Sequence, residues 1–158
     1  MFSGDATVLY RAVPAKSKLA QSEKLLLTEF AQSLSSGVVD SRSFTCLITN
    51  DNELQKLNKQ FLGNDYPTDV LSFPSGDPSV VLGELAISIQ RAEAQALEFG
   101  HDRIDELRIL MLHGVLHLAG MDHERDAGEM ARAEKKWRLR FSLPATLISR
   151  TQPSGVRA

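Results

Sequence analysis

The stretch from Arg103 to Ala119 constrains this chain more than any other. From Leu107 to Ala119 every residue is apolar except Arg108, Gly114 and the histidines His113 and His117. A helix that is apolar on nearly every side has no face to give to water, so it must run through the middle of a core with other elements packed round it. The chain has 158 residues, 42% of them hydrophobic and 24% charged, which is enough to build one such core. One domain over residues 1–158 is expected, with a frayed tail at 151–158.

The flanking segments supply the covering elements. Ala6 to Val13 reads as a strand ended by Pro14, and Ser17 to Ser36 as an amphipathic helix burying Leu19, Leu26, Phe30 and Leu34, with Gly37 as its stop. Ser43 to Thr49 is a second strand. Asn50 caps the next helix with Glu53 as capping-box partner, Leu54, Leu57 and Phe61 form its apolar face, and Gly63 ends it. Val70 to Phe73 and Leu82 to Ile87 are short strands. Ser88 caps a helix running to about Phe99, stopped by Gly100. Asp126, with Glu129 three residues on, opens a last helix whose buried stripe is Met130, Ala133, Trp137 and Phe141. The expected fold is therefore α+β: a small mixed sheet of about four strands covered by helices, with the histidine helix at the centre.

Three of the four histidines, His113, His117 and His123, fall within eleven residues. Four residues apart on a helix, His113 and His117 project from one face. Gly120 lets the chain leave the helix sharply and bring His123 back toward them. A lone histidine in an apolar helix is usually a core residue satisfied by one hydrogen bond, but burying three imidazoles without a shared partner is costly. The spacing points to a three-histidine zinc site with an open position for water, hence a catalytic rather than a structural metal. His113, His117 and His123 are the expected ligands and also the expected catalytic residues, acting through the metal-bound water. Asp122 is placed to support a ligand or to fix the turn, and the turn is preferred.

The spacing His-x3-His-x2-Gly-x2-His matches the metzincin proteases, except that their general-base glutamate after the first histidine is Gly114 here. This zincin-like centre without the peptidase base suits a reaction in which the metal does more of the work, such as phosphodiester cleavage. The segment His113 to His123 resembles the His-Gly-x-Leu-His-Leu-x-Gly-x-Asp-His signature of the YbeY family of bacterial endoribonucleases. Leu57-Asn58, Phe61, Gly63, Asp65 and Pro67 to Pro74 resemble a second block of that family, and Gly83-Glu84 with Ile87 its next strand. The resemblance implies a single-strand-specific endoribonuclease acting in small-subunit rRNA maturation, with one Zn(2+) per chain on His113, His117 and His123. Its partners would be single-stranded rRNA and the small ribosomal subunit or its assembly factors, not DNA and not a membrane.

One departure bears on activity. The family places an arginine where this chain has Leu62, and a leucine can neither grip a phosphate nor stabilise developing charge. Arg91, Arg103 and Arg108 are candidate substitutes. Two other readings therefore stand beside the nuclease: a non-catalytic, zinc-stabilised ribosome-assembly or RNA-binding factor, and a metal-dependent hydrolase of another substrate. His101 is expected to be an exposed loop residue and Cys46 a core strand residue. Asn58 is expected to tie its helix to the following loop, and Asp69 to support the site or cap a loop. Lys135, Lys136, Arg138 and Arg140 cluster round Trp137, and a solvated helix face, partly neutralised by Glu129 and Glu134, is expected there ahead of a contact to RNA phosphates. A formal net charge of −2 argues against bulk electrostatic binding of nucleic acid. No secretory signal or membrane-length apolar run is seen, and one cysteine allows no internal disulfide, so a cytoplasmic location is expected.

Overall fold

A computed structural model describes residues 5–122 and 125–144. Four strands and five α-helices follow one another along them: β1 (Ala6–Tyr10), α1 (Gln21–Val38), β2 (Ser43–Thr49), α2 (Asp51–Leu62), β3 (Val70–Pro74), β4 (Val81–Ser88), α3 (Ile89–Phe99), α4 (Arg103–Leu118) and α5 (Glu129–Arg140). The sheet order is β1-β2-β4-β3. β1, β2 and β4 are parallel, and β3 returns antiparallel along the edge of β4. Parallel neighbours need crossovers, and these are α1 between β1 and β2, then α2 with β3 between β2 and β4. The chain is thus the mixed α+β fold that its pattern of elements predicts.

Side chains alternate across each strand, so the sheet has two unlike faces. Phe44, Cys46 and Ile48 of β2 and Leu85 and Ile87 of β4 belong to the main core, where α1, α3, α4 and α5 also bury their apolar residues. Leu71 and Ala86 point the other way, into a small second cluster with Leu54 of α2. α4 runs through the centre as expected, with thirteen of its 16 residues buried. Each fully buried Leu, Ile, Val or Met there contributes about 1.5–3 kcal/mol relative to exposure. Gly114 faces β4: a Cβ built on it would lie 2.6 Å from Leu85 Cδ2. Ser72 Oγ of β3 donates to the Gly114 carbonyl at 3.3 Å. The glycine is what lets the helix backbone settle onto the sheet.

Several local expectations shift. The buried face of α1 carries Leu27, Phe30, Ala31 and Leu34, whereas Leu26 is 42% exposed. The run Leu25-Leu26-Leu27 hides the phase of the helix. α1 also passes through Gly37 and turns only afterwards, at Asp40 and Ser41, both in left-handed conformation. β1 stops at Tyr10, short of Val13, because Ala12 takes φ 54°. The Asn50 cap forms, with Oδ1 accepting from Glu53 N at 2.8 Å, but the Glu53 carboxylate pairs with Arg11 rather than closing a capping box. Phe61 is 58% exposed and packs edge-on against Phe73, because α2 covers only part of its sheet face. Asp126 does prepare α5, its carboxylate accepting from Gly128 N and Met130 N.

Candidate functional site

The helical spacing of His113 and His117 becomes a packed pair on α4. Their ring centroids are 4.8 Å apart at 70°. His113 is 1% exposed and His117 9%, and both Nε2 atoms are shielded from solvent. Nδ1 of His113 is hydrogen-bonded to Oε2 of Glu134, which is buried on α5. A carboxylate accepting from Nδ1–H leaves the ring with its lone pair on Nε2, the form that can bind a metal ion. Glu134 therefore does not neutralise the basic residues of α5, as its sequence neighbourhood suggests. It lies on the buried side of that helix, one turn beyond Met130, and an acidic residue inside an apolar stripe was the signal for it.

After α4 the chain turns as expected. Gly120 has φ 99°, its N–H donates to the His117 carbonyl at 2.9 Å, and Met121 N donates to Leu116 O at 3.1 Å. The Asp122 carbonyl then accepts from Arg125 N and Asp126 N, so the backbone of Asp122 does fix the turn. His123 lies outside the described residues. Among the described residues, no group of three His, Cys, Asp or Glu is placed to hold a metal ion.

Asp69, at the start of β3, is fully buried. Its Oδ1 accepts from Val70 N at 2.8 Å, its Oδ2 from Gln95 Nε2 at 3.0 Å, and its carbonyl from Ser88 N at 3.0 Å. Burial pushes its carboxyl up to about 6, against the opposing pull of the Gln95 hydrogen bond and the field of His113. Of its two expected roles the hydrogen bonds show the loop cap, which pins the segment before β3. Asn58 ties α2 to the next loop through Tyr66 O at 3.0 Å. Cys46 is fully buried, and burial alone pushes its thiol up to about 12, which keeps it a neutral core residue. His101 is a correction: its side chain is only 9% exposed, with Nε2 2.6 Å from Oε1 of buried Glu106.

Leu62 lies on the other face of the sheet. With Leu57 and Phe73 it packs against Leu54, Leu71 and Ala86. It also lines a groove of about 630 Å³ with Leu9, Arg11, Leu47, Phe61 and Glu84. The cation in that groove is Arg11, not one of the candidates raised from sequence. Arg103 is held by Glu23 and Glu93, Arg91 lies 3.6 Å from Asp51, and Arg108 pairs with Asp105.

Fold and site together define a class: an α+β domain with a carboxylate-supported histidine pair on a helix buried between sheet and helices. Within that class the chain belongs to the YbeY family, because the Endoribonuclease YbeY family matches residues 12–142. It is 52% identical over 147 residues to the Endoribonuclease YbeY of Solibacter usitatus, covering 93% of this chain and 95% of that one. It is 39% identical over 133 residues to the Endoribonuclease YbeY of Helicobacter pylori strain 26695, covering 84% and 92%. The solution structure of TM1509 from Thermotoga maritima superposes with a TM-score of 0.59 at 28% identity, covering 92% of this chain and 99% of that one. Among the described residues no helix is long and apolar enough to cross a membrane.

Proposed function

We propose that this chain is a zinc-dependent, single-strand-specific endoribonuclease that acts in maturation of small-subunit rRNA, in the cytoplasm, as one zincin-like domain over residues 1–158. The observation that carries the reading is the buried His113–His117 pair with Glu134 on His113 Nδ1, in a chain whose relatives are named endoribonucleases. The donor set fits zinc: two imidazoles rise from one helix face, one of them with its tautomer set by a carboxylate, and the sequence supplies a third histidine three residues after Gly120. His113, His117 and His123 would hold one zinc per chain, with α4 as the metal-binding helix. Bound there, zinc would supply a Lewis acid and an activated water for phosphodiester hydrolysis. Glu134 orients His113. Gly114 leaves no carboxylate where a peptidase keeps its base, and the Leu85 contact leaves no room for one. Substrate and partners on this reading are single-stranded rRNA and the small ribosomal subunit or its assembly factors.

One observation favours a second reading, a non-catalytic zinc-stabilised assembly factor. Leu62 is packed into an apolar cluster where the family arginine is expected. Elemental analysis of protein purified without added metal, with cleavage assays on single-stranded RNA for wild type and His113→Ala, separates the two. The nuclease reading expects one zinc per chain and cleavage that the variant loses. One zinc with cleavage no greater than that of His113→Ala favours the assembly factor. Stoichiometry near zero with no uptake of added zinc overturns both.

A further inference from the structure

On the exposed side of α5, Arg132, Lys135, Lys136 and Arg140 recur at a spacing of three, four and eight residues. That spacing lines them along one face, about 12 Å from end to end at 1.5 Å per residue. The helix carries five of the chain's 18 Lys and Arg in 12 residues. Its two acidic residues do little to offset them. Glu134 is buried against His113, and Glu129 lies 3.9 Å from Arg132. Among the described residues no carboxylate pairs with Lys135, Lys136 or Arg140. Two of these cations are held by an aromatic ring: Lys136 Nζ lies 4.7 Å and Arg140 Cζ 5.9 Å from the Trp137 ring centroid. Trp137 in turn stacks on Phe141 at 5.9 Å and packs on the core. A chain of net charge −2 has thus gathered a fixed positive stripe, and Lys135 is the residue after the one that holds His113.

We infer that this face of α5 is a docking surface for the sugar-phosphate backbone of single-stranded RNA. The inference rests on the nuclease reading for its choice of polyanion. Phosphate is the partner that a row of unneutralised cations recognises, and it carries no base information. Trp137 is already occupied by Phe141 and two cations, so it braces the cations and does not offer a platform for bases. A membrane is the poorer match, because the apolar stripe of α5 faces the core and Leu139 is the one large hydrophobic residue exposed among the cations.

The test is fluorescence-anisotropy binding of a labelled single-stranded RNA across a salt series, with cleavage of the same RNA followed in parallel. The proteins are wild type, the triple variant Lys135→Glu/Lys136→Glu/Arg140→Glu, and a control triple Lys16→Glu/Lys18→Glu/Lys56→Glu at exposed positions elsewhere. Circular dichroism and melting temperature check that each is folded. The α5 variant is expected to bind roughly tenfold or more weaker, with a log K against log salt slope shallower by about 2, while the control changes far less. RNAs of unrelated sequence should behave alike. Equal losses in the two triples would reduce the effect to bulk charge and overturn the inference. Unchanged binding by a folded α5 variant would overturn it while leaving the nuclease reading standing. Wild-type binding without cleavage, lost in the α5 variant, would support the surface and remove the nuclease. Wild type that ignores RNA, or that poly-glutamate or phosphatidylglycerol vesicles capture in its place, would overturn the inference in favour of another partner.

Discussion

Glu134 and Asp69 are both buried carboxyls, and they behave differently. Glu134 meets His113 directly, so its removal should be felt by the metal. Glu134→Gln is predicted to lower zinc affinity about 10–100-fold, measured by competition with a chromophoric chelator, with little change in fold. Unchanged affinity would mean that the hydrogen bond does not set the tautomer. Among the described residues no ion pair reaches Asp69, and its carboxyl sits near 6, above the ordinary carboxylate value of about 3.9. Between those values the native state holds a proton that the unfolded chain has released. Its contribution to stability is therefore present at low pH and lost as pH rises through about 6. In chelator-treated protein, Asp69→Asn, which keeps an acceptor for Val70 N–H, should be more stable than wild type at pH 7.5 by on the order of 1–3 kcal/mol and gain little at pH 4.5. Urea unfolding at the two pH values checks this, and an advantage of equal size at both would refute it. The pairing of His113 with His117 was legible from sequence because residues four apart on a helix share a face. Glu134 was missed because an acidic residue among Lys135, Lys136 and Arg138 looks like surface, although the stripe of Met130, Ala133 and Trp137 already sets its position on the buried side of α5.

At the scale of elements, α4 shows how packing overrides local propensity. On an exposed helix, replacing glycine by alanine gains up to about 1 kcal/mol. At Gly114 the new Cβ would lie 2.6 Å from Leu85 Cδ2, and Leu85 is itself only 2% exposed. Gly114→Ala is therefore predicted to destabilise, by about 1–3 kcal/mol in chemical denaturation. A stabilised variant would show that the helix can lift off the sheet without loss. The order and type of the elements were readable because caps and stops such as Asn50, Gly63, Ser88 and Gly100 bracket apolar runs of distinct period. The phase of α1 was not, since three adjacent leucines satisfy more than one helical face. Nor was the exposure of Phe61, which depends on how much of the second sheet face α2 covers. That open face also puts Leu62 in a groove shared with Arg11, a residue just after β1 that no local pattern could place there.

Across the whole molecule, the proposed metal and the core share one helix, so binding and folding should be coupled. Zinc at 100 times its dissociation constant would stabilise the native state by about 2.7 kcal/mol. Thermal melts should show wild type losing stability on chelation, and His117→Ala starting lower and ignoring the chelator. A wild-type melting temperature that does not move on chelation would separate metal from fold. The most direct measurement returns zinc stepwise to chelator-treated protein and follows the cleavage rate of a single-stranded RNA. The predicted rate starts at the His113→Ala background and rises to a plateau at one equivalent of zinc per chain. Full cleavage before any zinc is added, or none at saturating zinc, would contradict a zinc-dependent ribonuclease centred on His113, His117 and His123.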